Sequence, residues 1–178
     1  MSNFNRLVDT VDTYQALATE NYNRIRKLAE ELADGLCGFM GATDGSCVHL
    51  VPPVGQFTPR AHGDEAFSIP PRGFRPLGPV AFGLAVRVSR GTDWLRVTIE
   101  CHKTGDKFRV RLLEGKEYEI ELPLADHNPD PLYQLIYDHV YDWFETRIKK
   151  YRDGDSGSRE IGFDFADPES PPNLAASA

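Results

Sequence analysis

Four consecutive runs between Val80 and Leu122 place an apolar residue at every second position, the period of a half-buried strand. Phe82, Leu84, Val86 and Val88 form the first run, and Leu95, Val97, Ile99 and Cys101 the second. Phe108, Val110 and Leu112 form the third, and Tyr118, Ile120 and Leu122 the fourth. Turn residues at Gly91-Thr92, Thr104-Gly105 and Glu114-Gly115-Lys116 separate them, so the pattern predicts a four-stranded antiparallel meander. Folding at those turns aligns Leu84, Ile99, Val110 and Ile120 in one row, and Phe82, Cys101, Phe108 and Leu122 in a second. A slip of one residue would carry a strand's whole apolar set to the other face, so the shared face is tightly specified.

The opposite face is polar. Glu100, Arg109 and Glu121 are expected in one line across the strands, with Thr98, Arg111 and Glu119 beside them. An arginine strand between two acid-bearing strands neutralises itself and reads as salt-bridged surface rather than a nucleic-acid stripe. Trp94 breaks this pattern, either as an exposed aromatic anchor for a partner or as a residue covered by a loop.

Helical periods flank the meander. From Phe4 to Asp34 apolar residues recur near every seventh position: Phe4, Val11, Ala18, Ile25 and Leu32 on one line, Leu7, Tyr14, Asn21 and Leu28 on the other. This predicts a helix with a narrow seam, begun near Ser2 or Asn3 and stopped by Gly35. About 31 residues make roughly 46 Å of helix, against roughly 30 Å for strands of about nine residues. One end should therefore overhang the sheet and need a cover: a loop, the second helix or another copy of the chain. A second helix is expected from Asn128-Pro129-Asp130-Pro131 to about Arg152. Its apolar arc is broad, with Leu132, Leu135, Ile136, Val140 and Trp143 flanked by tyrosines and Phe144, which implies burial on two sides.

Residues 35–79 are different material, holding eight of the 15 glycines and seven of the 13 prolines. They read as a loop-rich insertion that buries phenylalanines, with edge-strand candidates at Cys47–Val51 and Ala66–Ile69. Residues 153–178 read as an acidic, largely flexible tail. Within it the Gly-Phe-Asp-Phe segment has the pattern to add as a strand, to this sheet or to a partner.

The architecture expected is thus α+β and a single domain over residues 1–152. Its order is a long N-terminal helix, insertion, four-stranded antiparallel meander and C-terminal helix packed on the sheet, with the acidic tail following.

Composition adds mainly exclusions. The chain has 178 residues and a net charge of −7, of which −5 lies from Asp153 onward, leaving a nearly neutral body. That balance makes nucleic acid an unlikely partner, since such binding needs a basic footprint. No apolar run reaches membrane-spanning length and no signal-peptide pattern opens the chain, so no membrane partner is expected. Three cysteines, an odd number, suggest no disulfide framework and a reducing cytoplasmic location.

Catalytic signatures are absent. Cys37, Cys47, His49 and His62 are the soft ligands nearest one another, but their spacing lacks the close pairs of a zinc site. Cys47 with His62 and Asp64 is the corresponding nucleophilic alternative. The leading expectation is a non-enzymatic protein-interaction module of adaptor or chaperone-like kind, with self-association as one form. Its binding residues would be Trp94, Phe57, Phe74, Phe163 and Phe165, with a protein partner or a second copy, and no cofactor. The alternative is a small enzyme or ligand-binding domain with a site under the 35–79 loop using Cys47, His49 and His62.

Overall fold

The computed structural model of the chain describes residues 2–43, 46–70, 72–155 and 163–166. Helix α1 (Asn3–Phe39) opens the fold and is followed by strand β1 (Val48–Val51). The meander comprises β2 (Val80–Arg87), β3 (Trp94–Thr104), β4 (Lys107–Leu112) and β5 (Glu117–Glu121). Helix α2 (Asp130–Arg152) and a two-residue strand β6 (Asp164–Phe165) complete it. The α+β architecture read from the sequence is the one observed, with a sheet of six antiparallel strands in place of four. Most of the tail expected to be flexible, 156–162 and 167–178, lies outside the described residues.

Both additions to the sheet fall on segments with recognisable strand patterns. β1 pairs with β2 through Val48↔Val86 and Val51↔Gly83, and Phe67 forms a single bridge to Phe82 farther along the same edge. On the other side of β3, β4 covers Ile99 to Thr104, and β6 pairs with Leu95 and Arg96 beyond it.

The apolar face of the meander is as expected, but its register is not. Leu84 lies opposite Val97, Ile99 opposite Leu112, and Phe108 opposite Ile120. Each hairpin is displaced by two residues from the expected rows. The turn chemistry explains why. At the first, Val88 and Asp93 close a longer loop in which the Ser89 hydroxyl accepts from the amides of Gly91 and Asp93. At the second, Thr104 pairs with Lys107, so the turn is Gly105-Asp106 rather than Thr104-Gly105, with Gly105 left-handed at φ of 62°. At the third, Glu114 takes the left-handed position, with φ of 57°. The polar face is salt-bridged as anticipated, with changed partners: Arg111 meets Glu100 at 2.6 Å and Arg109 meets Glu119 at 3.2 Å.

The helices also differ in extent. α1 does not stop at Gly35 but continues to Phe39. Gly35 instead permits a close crossing, since a Cβ there would sit 1.9 Å from the Tyr133 hydroxyl of α2. That hydroxyl donates to the Glu31 carbonyl at 3.2 Å. Burial of α2 on two sides holds only for its first turns, where Leu132, Tyr133 and Ile136 are buried. Farther along, Tyr137, Tyr141 and Ile148 are exposed beside an apolar hollow of about 410 Å³.

The main core lies between the sheet and α1, centred on Ile25, Leu28, Leu32, Leu84, Ile99 and Phe108. A small second core, Val51, Phe57 and Ala85, lies on the opposite face under the loop that follows β1.

Candidate functional site

At about 1.5 Å per residue α1 is roughly 55 Å long, and its first four turns extend beyond the sheet. Phe4, Leu7, Val8 and Leu17 are exposed there, Phe4 at 71% and Leu7 at 61%. Successive residues advance by about 100° around a helix, which puts Phe4, Leu7, Val11 and Tyr14 on the same side as buried Ala18, Ile25, Leu28 and Leu32. The stripe that builds the core thus runs on, largely uncovered, to the N-terminus. The overhang's charged residues, Arg6, Asp9 and Asp12, project from the other side. The Ser2 hydroxyl caps the helix by accepting from the Asn5 amide at 3.2 Å. At the inner limit, Tyr14 packs edge-on against Phe74 and its hydroxyl accepts from the Leu77 amide.

The soft ligands of the insertion divide between a disulfide and the opposite face of the sheet. Cys37, in the last turns of α1, is joined to Cys47 by a disulfide, and both are buried. This corrects the expectation of unpaired cysteines and removes the argument from it for a reducing compartment. With both sulfurs in the bridge, neither offers a thiolate to a substrate or a metal. His49 lies one residue out of phase with Val48 and Leu50 on β1, so its ring points to the other face of the sheet, against Trp94 at 5.2 Å. Burial and the nearby His62 hold His49 below the usual histidine range. His62 contacts the Thr58 carbonyl through Nε2. Asp64 accepts from the Tyr22 hydroxyl at 2.7 Å and from Arg26 at 3.0 Å, which pins the insertion to α1. Burial, reinforced by that carboxylate, pushes the Tyr22 hydroxyl up to about 12. Among the described residues no cluster of His, Cys, Asp or Glu has a metal-binding arrangement.

The aromatic candidates separate into two groups. Phe57 is buried in the second core, and Trp94 packs half-buried against that core, which is the loop-covered alternative for the tryptophan. Phe74 stays largely exposed next to the α1 overhang. Phe163 and Phe165 lie at β6: Phe163 inserts beside α2, with its ring 5.4 Å from both His139 and Trp143, and Phe165 is half-exposed opposite Leu95.

Beside β6 lies a residue that the sequence reading did not single out. Arg96 occupies the polar face of β3 yet is nearly inaccessible. Its guanidinium donates to the carbonyls of Pro52 and Gly55 and, at 2.6 Å, to Asp164. It also lies over the Phe57 ring. Gly83 makes the seat possible, since a Cβ there would meet the Arg96 side chain and the carbonyls of Val51 and Pro52 below 3.0 Å. The available signal was the neighbourhood of Trp94. A face carrying both a tryptophan and Pro52-Pro53-Val54 nearby is covered, so an arginine on it is desolvated.

Among the described residues no helix is long and apolar enough to cross a membrane. The chain matches no protein-family model, no curated protein and no solved structure. The functional reading therefore rests on its own geometry.

Proposed function

We propose that the chain is a non-enzymatic protein-interaction module of adaptor or chaperone-like kind that self-associates through the overhang of α1. The carrying observation is the exposed stripe of Phe4, Leu7 and Tyr14 in line with the buried stripe of the same helix. A helix face this apolar gains by being covered, at about 25 cal/mol for each Å² removed from water.

The pattern suits a second copy in antiparallel pairing about a two-fold axis. In that arrangement Phe4 opposes Tyr14 of the second copy and Leu7 opposes its Val11. The seam carries no charge, since Arg6, Asp9 and Asp12 project from the other side of the helix. Sedimentation equilibrium of the full chain tests the reading. Wild type should be a dimer, and Leu7→Ser with Val11→Ser should give monomers with an unchanged circular dichroism spectrum. A wild-type monomer, or a dimer indifferent to both substitutions, would refute it.

A further inference from the structure

Beyond the overhang of α1, we propose that the edge of β3 at residues 94–97 is a peptide-docking groove. It takes an extended aromatic–Asp–aromatic segment of another protein, and the chain's own residues 163–166 occupy it in its place.

The groove exists because β4 is shorter than β3. β4 ends at Leu112, opposite Ile99, and the Leu113 amide still donates to the Thr98 carbonyl, which leaves Trp94 to Val97 without a neighbour on that side until β6 arrives. An unpaired strand edge is a template for strand addition, the backbone supplying affinity and alternate side-chain pockets supplying selectivity. All the components of that mode are present. The ladder pairs Leu95 with Phe165 and Arg96 with Asp164, and the Ala166 amide donates to the Trp94 carbonyl at 2.9 Å. An aromatic pocket between His139 and Trp143 takes Phe163, which is only 7% exposed.

The third component is the carboxylate receptor. The Arg96 side chain is 2% exposed, whereas that of Asp164 is 71% exposed. The Pro52 and Gly55 carbonyls hold the guanidinium in place independently of Asp164, so the receptor belongs to the folded body and the acid to its ligand. A fixed, desolvated guanidinium selects strongly for a carboxylate.

A hollow of about 160 Å³ lies between Thr98, Glu114, His139 and Phe163, and one of about 430 Å³ lies along α2 beside Trp143. Only ten residues, 153–162, separate α2 from Phe163. So short a tether places the segment at an effective concentration on the order of millimolar. Residues 163–166 therefore act as a built-in competitor, and an external segment binds in proportion to the fraction of open groove.

The test uses the full chain and a labelled peptide of sequence Gly-Phe-Asp-Phe-Ala-Asp, with binding read by fluorescence anisotropy. The variant Phe163→Ala with Asp164→Asn empties the groove and should bind the peptide at least about tenfold more tightly than wild type. Peptides carrying Ala for the first Phe, or Asn for the first Asp, should lose that gain. Asp164→Asn alone, altered at a solvent-facing carboxylate, provides a milder variant that should show a smaller gain in the same direction. Equal binding by wild type and variants, or binding indifferent to the peptide's Phe and Asp, would overturn the proposal. So would a wild-type dimer that the paired substitution at 163 and 164 splits, since the occupant would then be a second copy of this chain. A dimer held by α1 leaves that arm unaffected, because it responds to residues 7 and 11 instead.

Discussion

The two halves of α1 carry one apolar stripe and meet opposite fates. From Ala18 to Leu36 the stripe is buried against the sheet and α2; from Phe4 to Leu17 it is largely bare. Nothing in the periodicity separates them, since both keep the seven-residue repeat. The difference comes from the sheet, which is too short to run under the whole helix. Periodicity thus identifies a face that will be covered, while the rest of the fold decides by what. The sharpest break of this comparison is a pair of matched truncations. Leu32→Ala removes a fully buried side chain and should cost about 2–5 kcal/mol in urea unfolding. Leu7→Ala should cost under about 0.5 kcal/mol at protein concentrations where the chain is monomeric. As concentration rises, its deficit should grow, because a dimer interface stabilises by mass action. A concentration-independent loss at Leu7 as large as that at Leu32 would show the overhang to be packed within its own monomer.

A second contrast lies within the packed half, between two glycines three residues apart. At Gly35 a methyl group would run into the Tyr133 ring where α2 crosses, whereas at Gly38 nothing lies within 4 Å. Gly38→Ala should therefore gain about 0.4–1 kcal/mol by restricting the unfolded chain. Gly35→Ala starts with the same gain but must displace Tyr133 and its bond to Glu31. Overpacking of that kind typically costs about 1–3 kcal/mol, so the net sign should be destabilising. Thermal unfolding of the two variants in parallel reads the difference, and a stabilised Gly35→Ala would mean that the helix crossing is loose.

These positions also mark what was legible in the sequence. Alternation in the meander specified faces correctly because face depends on parity alone. Partners depend on where each turn closes, and a shift of two residues leaves parity untouched. Ser89, Gly105 and Glu114 determine those closures through a side-chain bond and two left-handed residues, details below the resolution of a hydrophobic pattern. Gly35 read as a stop because glycine ends helices more often than it lets them cross. The seam was visible from the seven-residue repeat and its overhang from length. The Phe163–Phe165 segment was legible as a strand seeking an edge, but its receptor was not. Arg96 alternates with Trp94 and Thr98 as any solvent-facing residue would, and only the loop folding over it reveals its burial.

The smallest effect concerns how the packed half of α1 holds the insertion. Tyr22 donates to Asp64 and packs edge-on against Phe67, whereas the overhang makes its one described tie to the insertion at Tyr14. Tyr22→Phe should cost about 1 kcal/mol near neutral pH, the net worth of one hydrogen bond, because Arg26 still partners the carboxylate. The pH dependence carries the more specific signature. The folded-state value of about 12 lies above the ordinary tyrosine value of 10.0, so the folded protein keeps the proton that the unfolded chain gives up. Stability from this group is therefore complete below pH 10 and declines as pH rises toward 12. Other groups titrate in the same window, but they are common to both proteins. The wild-type advantage over Tyr22→Phe should shrink steadily between those limits in urea midpoints measured at matched ionic strength. A gap that stays constant across the window would mean that Tyr22 contributes through ring packing alone and that Asp64 is held to α1 by Arg26.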